Sequence, residues 1–291
     1  MSVLFDSVLA AALARELDVA WRDRRLEALH FDGESRSLRL GFREDAWIWL
    51  LHPAEGVPAR VARRPRRRRP DRGILDGPVR VLRVEAPLDT RRIEVHLDGG
   101  VDSGGGGGGG GAADQLVIDL VTNRWNAILL SGDRVRRALL PGRGASPLKA
   151  GDTWEGSASE RRWAPNPPSP EEWTDVVARR EDPDAPGTRG TRGRIAWLSS
   201  VNEAYVFGDE RGVQGETSHA ERGESQADAA ASFERYLGLR AAALDAPPGG
   251  WLLPQGRTGP GRPYPHALGL REAEPFDSLI ETFRALAERS E

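Results

Sequence analysis

The residues whose types and spacing most clearly suggest a chemical role are the arginines between positions 60 and 72. Eight arginines fall within these thirteen residues, and Asp71 is the one acid among them. Guanidinium groups bind phosphate oxygens through paired hydrogen bonds and displace counterions from nucleic acids. A solvated loop with no ligand is the alternative, because Pro65 and Pro70 interrupt regular structure. The arginines of this cluster that are candidates for contacts with nucleic-acid phosphates are Arg63, Arg64, Arg66, Arg67, Arg68 and Arg69.

The composition of the chain limits other kinds of chemistry. The absence of Cys rules out disulfides and thiolate catalysis. The five histidines form no pair at metal-ligand spacing, so we expect neither a metal nor a cofactor. The formal net charge is only −3 over 291 residues, and Lys149 is the only lysine among 41 basic residues. Arginine enrichment is therefore general to this chain and is weak evidence for nucleic-acid binding by itself.

The elements that must position these arginines are an N-terminal helix and a series of strands. Apolar residues at helical spacing predict a helix over residues 4–21, with Asp6 or Ser7 as its N-terminal cap. Period-2 alternation predicts antiparallel strands over 25–31, 38–43, 47–51, 79–84, 92–97, 115–121, 127–130 and 134–140. This order favours an α+β fold, in which a helix and an antiparallel β-sandwich precede a smaller helical region.

A run of eight glycines, Gly104–Gly111, separates two of the predicted strands. Glycine loses the most backbone entropy on ordering and offers no side chain to pack, so we interpret the run as a flexible hairpin loop. A phosphate-binding loop is the alternative, but it requires a helix directly after the glycines. A strand is predicted there instead, which argues against a phosphate site.

The composition changes near residue 157 to Pro, Glu and Arg. Helices are predicted to begin at Ser169 and to cover 194–208, 227–243 and 276–288, with loop or extended chain at 247–253 and 262–266. We therefore expect three parts: a β-sandwich domain at 1–156, a helical or irregular region at 157–275, and the start of a longer helix at 276–291.

Two stretches carry a resemblance to a known family. Leu116–Leu130, with Asn126 before an aliphatic run, and Pro147–Trp154 resemble the N-terminal domain of the NFACT family. Members of that family are ribosome-associated quality-control factors, also described in bacteria as fibronectin-binding protein A. The resemblance implies a sandwich related to the N-terminal domain of formamidopyrimidine-DNA glycosylases. It also implies that the partners are tRNA and the large ribosomal subunit carrying a stalled nascent chain.

The resemblance also implies a site ahead of the strand at Arg92–Leu97, where the family carries an Asp-Arg pair. Arg91 matches the Arg, and either Thr90 or, with a shift of one residue, Asp89 takes the place of the Asp. Arg91 and Arg92 point to opposite faces of the strand, so only one of them can meet a given partner. We expect RNA contacts from this group, and an ordinary surface role for Arg91 is the alternative.

The turn before the aliphatic run offers further candidates. Arg124 and Asn126 could contact RNA, and Trp125 could stack on a base. The alternatives are that Asn126 bonds to nearby backbone and that Trp125 packs in the core. We favour these alternatives.

Two other functions must be weighed against RNA binding. A glycosylase-like enzyme acting on DNA would need a proline amine and a glutamate at the N-terminus, and Met1-Ser2-Val3 supplies neither, so we expect no catalytic residues. A fibronectin-binding surface adhesin would need an export signal, which the first residues lack, so we expect a cytoplasmic protein. Family members are about twice this length, so we expect a truncated or divergent member without the coiled-coil arm and C-terminal RNA-binding domain.

Overall fold

The computed structural model describes residues 5–52, 58–62, 73–98, 114–121, 125–141, 148–156, 158–181, 194–208, 225–255 and 259–290. The predicted contacts of residues 63–69 and Arg124, and the predicted loop at 104–111, lie outside these residues. In chain order the elements are α1 (Ser7–Trp21), β1 (Arg25–Asp32), β2 (Ser37–Phe42), β3 (Asp45–Leu50), β4 (Pro58–Ala62), β5 (Val79–Glu85), β6 (Arg92–Asp98), β7 (Asp114–Asp119), β8 (Asn126–Ser131), β9 (Arg134–Ala138), α2 (Pro170–Glu181), α3 (Glu203–Phe207), α4 (Ser225–Leu244), β10 (Gly250–Gln255), β11 (Gly259–Tyr264), β12 (Glu274–Phe276) and α5 (Leu279–Ser290).

Helix α1 is buried on nearly every side. Its Ala- and Leu-rich sequence has high helix propensity, and Asp6 caps it by accepting a hydrogen bond from the Leu9 N–H at 2.9 Å. The side chains of Leu13, Leu17 and Trp21 are fully buried. The helix packs against β5 and β6 on the sheet side and against α4 and α5 on the other. It is therefore the common core element of both halves of the chain.

The nine strands β1 to β9 form one antiparallel sheet in the order β4-β3-β2-β1-β5-β6-β7-β8-β9. Strands β1 and β5 pair over only two positions, Arg25 with Arg80 and Leu26 with Val79. This short junction divides the sheet into a four-stranded half, β1 to β4, and a five-stranded half, β5 to β9. Both halves contribute side chains to one hydrophobic core. The α+β class predicted from the sequence is confirmed.

The second half of the chain packs onto the same core. A small sheet in the order β11-β10-β12 lies against α5. The Trp173 ring stacks on Tyr236 with centroids 4.5 Å apart and on Phe207 at 5.8 Å. The Phe283 ring of α5 stacks on Phe5 at 5.9 Å, so the segment predicted as the start of a longer helix is docked in the core.

Three segments differ from the sequence-based expectation. The run 194–208, predicted as one helix, is not continuous: Trp197 adopts a left-handed conformation with φ of 68°, and helix α3 begins only at Glu203. Strands β4 and β12 were not predicted. Strands β10 and β11 form where loop or extended chain was expected, and β11 accommodates Pro and Gly because it is an edge strand of the three-stranded sheet.

Within the described ranges, none of the helices combines the length and apolar character needed to cross a bilayer.

Candidate functional site

The turn between β5 and β6 holds the described residues of the predicted Asp-Arg site. Thr90 closes the turn by donating hydrogen bonds from both its N–H and its hydroxyl to the Pro87 carbonyl, at 3.1 and 2.8 Å. Asp89 adopts a left-handed conformation with φ of 55°. Asp tolerates this conformation better than most residues, because its short side chain can hydrogen-bond locally.

The Asp89 carboxylate is fully enclosed and accepts hydrogen bonds from three separate segments. Oδ1 accepts from the Ser7 hydroxyl and from the Trp197 N–H, both at 2.8 Å. Oδ2 accepts from the Ser159 hydroxyl and from Arg161 Nε, both at 2.6 Å. Arg161 Nη2 completes a bidentate ion pair with Oδ1. Asp89 thus connects the turn to α1 and to the second half of the chain, and a direct RNA contact would require that half to move away.

Arg161 is held equally well on its own side. Its Nη1 donates to the Leu198 carbonyl at 2.9 Å, and its Nη2 also lies 3.3 Å from the Ser7 hydroxyl. A buried charge is tolerated when it is paired and its remaining polar atoms are bonded. The Asp89–Arg161 pair meets both conditions.

The two neighbouring arginines at the start of β6 point in opposite directions. Arg91 is exposed, and its carbonyl accepts the Leu120 N–H at 2.8 Å, which fixes its backbone to the end of β7. Arg92 is buried, lies 5.5 Å from the Trp154 ring centroid, and places Nη1 3.5 Å from Glu94 Oε1. Arg91 is therefore the arginine of the pair that lies on the surface, and Arg92 supports the sheet.

Two exposed aliphatic side chains lie at the same end of the sheet. Leu88 in the β5–β6 turn is 44% exposed, and Val121 just after β7 is 42% exposed. Arg92 pairs with Asp119, so the start of β6 lies beside the end of β7 at this edge of the molecule. We call Leu88, Arg91 and Val121 the turn-end surface. It combines a cation with apolar contact area.

Asn126 and Trp125 have the structural roles that we favoured. The Asn126 carbonyl oxygen accepts the N–H groups of Ala127 and Leu140 at 3.0 and 2.9 Å, and its amide donates to the Leu140 carbonyl at 3.3 Å. Trp125 is buried and meets Phe5 edge-on with centroids 5.2 Å apart. Asn126 thus ties the start of β8 to the chain that follows β9, and Trp125 belongs to the core.

A second buried carboxylate lies close to the turn. Asp6 Oδ2 accepts from the Ser199 hydroxyl at 2.7 Å and from the Tyr264 hydroxyl at 2.8 Å, and Asn202 Nδ2 lies 3.4 Å away. Burial raises the pKa of Asp6 above its ordinary value, although these hydrogen bonds and the nearby positive charge of Arg91 act in the opposite direction. Burial also raises the pKa of Tyr264.

One group of side chains on the sheet has the donor types of a metal site. The ligand atoms of Glu85, Glu94 and His96 lie within 4.8 Å of one another. Each acid already has a cation: Arg83 lies 2.7 Å from Glu85 and Arg92 lies 3.5 Å from Glu94. These arginines already balance the carboxylate charge, so the group is an ion-pair network of the sheet.

The sequence did not point to Arg161, Ser159 or Trp197 as part of the site. They lie between 70 and 108 residues from Asp89. Their spacing carries no local pattern, so only the fold brings them to Asp89.

The fold is similar to two solved structures. The N-terminal part of the fibronectin/fibrinogen-binding protein from Streptococcus suis has a TM-score of 0.63 and 12% identity, and 99% of this chain and 100% of that chain are covered. The fibrinogen binding protein from Staphylococcus aureus has a TM-score of 0.61 and 12% identity, with 98% of both chains covered. No protein-family model and no curated protein matches the sequence. The chain thus shares the fold of these two proteins over almost its whole length.

Proposed function

We propose that this chain is a binding module that contacts tRNA or ribosomal RNA with the turn-end surface. The observation that carries the proposal is the outward position of Arg91, in a turn held from within by Asp89. A guanidinium group binds phosphate oxygens through two hydrogen bonds in a fixed geometry. Leu88 and Val121 beside it offer apolar area to sugar and base faces.

The resemblance of Leu116–Leu130 to the NFACT family supports the same ligand. It suggests a role in ribosome-associated quality control, with tRNA and the large ribosomal subunit as partners. The arginines at 63–69 add a second basic segment in the sequence. Together these features favour an RNA contact that depends strongly on salt, because each phosphate that a protein neutralises releases counterions.

A second candidate function is binding to an extracellular protein. The observation that favours it is the fold shared with proteins named for fibronectin and fibrinogen binding. The exposed Leu88 and Val121 would suit a protein ligand as well as RNA, since protein interfaces combine apolar cores with arginine anchors.

The proposal also holds that the module binds without catalysing a reaction on nucleic acid. Covalent chemistry through an amine needs a lysine that is desolvated or lies beside another cation. The side chain of Lys149 is exposed and so is not desolvated; the bond of 2.7 Å to Asp152 Oδ2 is made by the Lys149 backbone N–H. Borohydride trapping on DNA with an abasic site should give no adduct; an adduct that disappears in Lys149→Ala would contradict this part of the proposal.

The RNA ligand is tested by a salt titration of tRNA binding to wild type and to Arg91→Ala. We expect the variant to bind more weakly and the slope of log affinity against log salt to fall by about 0.7 to 0.9. Arg134→Ala is the matched control, because Arg134 is exposed at the opposite end of the sheet. Equal slopes for wild type and Arg91→Ala would exclude Arg91 from the interface.

The arginine cluster is tested in the same titration. Replacing Arg66–Arg69 by Ala should remove up to about four phosphate contacts and flatten the slope further. An unchanged slope would leave the turn-end surface as the whole of the proposed interface.

A further inference from the structure

We infer that Arg161 is a positioning residue for Arg91, acting through the Asp89 carboxylate. The inference rests on the proposed function, since it concerns how the RNA-binding arginine is presented. It assigns a role in binding to a residue that lies in the second half of the chain and does not belong to the turn-end surface.

Hydrogen bonds from several directions end on the Asp89 carboxylate. Both carboxylate oxygens are used, by hydroxyls of Ser7 and Ser159, by the Trp197 N–H and by the two nitrogens of Arg161. A side chain fixed by bonds in several directions also fixes its own backbone. Asp89 is two residues before Arg91, so its backbone sets the direction in which the chain enters β6.

The bond from the Trp197 N–H to Asp89 joins two residues that both have positive φ. Asp89 has φ of 55°, and Trp197, whose N–H it accepts, has φ of 68°. Bulky residues such as Trp rarely adopt positive φ, and such conformations persist only where the surroundings enforce them. Both segments are therefore shaped around the carboxylate, and removing it releases the constraint on both.

Arg161 supplies the positive charge that the enclosed Asp89 carboxylate needs. It is the one cation bonded to the enclosed Asp89 carboxylate among the described contacts. Removing one partner of a buried ion pair leaves an uncompensated charge. Without Arg161, the Asp89 carboxylate must move toward solvent, and the turn that carries Arg91 must move with it.

A double-mutant cycle on tRNA binding separates positioning from a general structural role. We expect Arg91→Ala to weaken binding about tenfold, the value of one charge-assisted hydrogen bond. Arg161→Ala should cost a similar factor, and the double variant should bind no more weakly than Arg91→Ala alone, because coupled residues are not additive. Arg24→Ala is the control: it removes the Arg24–Asp45 ion pair of 2.6 Å, which does not involve the turn, and should leave binding unchanged.

Additive losses in this cycle would overturn the inference, and so would wild-type affinity in a folded Arg161→Ala variant. If Arg161→Ala does not fold, Ser159→Ala removes a single bond of 2.6 Å to Asp89 and enters the same cycle. Ser159→Ala should reduce tRNA affinity less than Arg161→Ala does, and it should cause no further reduction when Arg91 is already Ala.

Amide hydrogen exchange tests the positioning separately from the RNA ligand. The Thr90 N–H bonds to Pro87 and the Leu120 N–H bonds to Arg91, so both report on the turn. Both should exchange faster in Ser159→Ala, while the Val135 N–H, bonded to Asp152 at the other end of the sheet, should not change. Unchanged exchange at Thr90 and Leu120 overturns the positioning role. Faster exchange with unaltered tRNA binding in Arg91→Ala keeps the positioning role and contradicts the proposed function.

Discussion

We expect Glu16 on α1 to hold the start of α5 in place, so that Glu16→Ala lowers the free energy of unfolding. Its Oε1 accepts the Leu279 N–H at 2.7 Å and its Oε2 accepts the Ile280 N–H at 3.1 Å. These are the first N–H groups of α5, which have no partner within their own helix. A carboxylate at this position also interacts favourably with the helix dipole.

The expected magnitude follows from two opposing effects. Hydrogen bonds to a charged group contribute about 1.5 to 3 kcal/mol each, which gives about 3 to 6 kcal/mol for the two. Burial opposes this, because it raises the pKa of Glu16 and so disfavours the charged form. We expect Glu16→Ala to lower the free energy of unfolding by about 2 to 3 kcal/mol, which is less than the sum for the two bonds because burial of the charge opposes it.

Urea and thermal unfolding measure this loss. At about 2 to 4 °C per kcal/mol for a protein of this size class, the melting temperature should fall by about 4 to 12 °C. Glu16→Gln keeps one acceptor oxygen and should lose less. Glu288→Ala is the control on α5 itself, since its side chain is 70% exposed. If Glu16→Ala costs no more than Glu288→Ala, α5 is not anchored by Glu16.

Three further predictions concern pH, packing and loop length. Because the pKa of Asp6 is raised in the folded state, its carboxyl keeps its proton to a higher pH there than in the unfolded chain. The free energy of unfolding should therefore fall as pH rises above 3.8 through the folded pKa, and the fall should be smaller in Asp6→Asn. Identical pH profiles of urea unfolding would contradict this. Gly250→Ala should cost about 1 to 3 kcal/mol in the same assay, since a Cβ there would lie 2.8 Å from the Ser278 carbonyl and 3.0 Å from Leu279 Cα; an unchanged melting point would show that β10 and α5 can separate. Shortening Gly104–Gly111 to two glycines should change stability by about 1 kcal/mol, and loss of cooperative melting would mean that the run is packed or bound.

Much of the fold follows from local patterns. The alternation over 92–97 and 115–121 predicts β6 and β7, which pair in register from Arg92 with Asp119 to Leu97 with Asp114. Asp6 as an N-cap needs only a short acceptor side chain before a helical pattern. These features depend on residues close in sequence, so the sequence reveals them.

The remaining features depend on contacts between distant residues. Alternation shows that Arg91 and Arg92 face opposite ways, but the burial of Arg92 beside Trp154 depends on a loop that follows β9. The run Ile195–Leu198 suggests a helix from its apolar pattern, and all four residues are buried, yet Trp197 adopts a left-handed conformation and its N–H donates to Asp89. Tertiary contacts override local propensity in such segments.

Arginine-directed chemical footprinting shows which ligand covers the turn-end surface. Phenylglyoxal labelling followed by mass spectrometry measures the reactivity of each arginine with and without tRNA, and in parallel with fibronectin. We expect tRNA to protect Arg91 from labelling and to leave the reactivity of Arg134, at the opposite end of the sheet, unchanged. Equal labelling of Arg91 with and without tRNA, or its protection by fibronectin alone, would contradict the claim that the turn-end surface binds RNA.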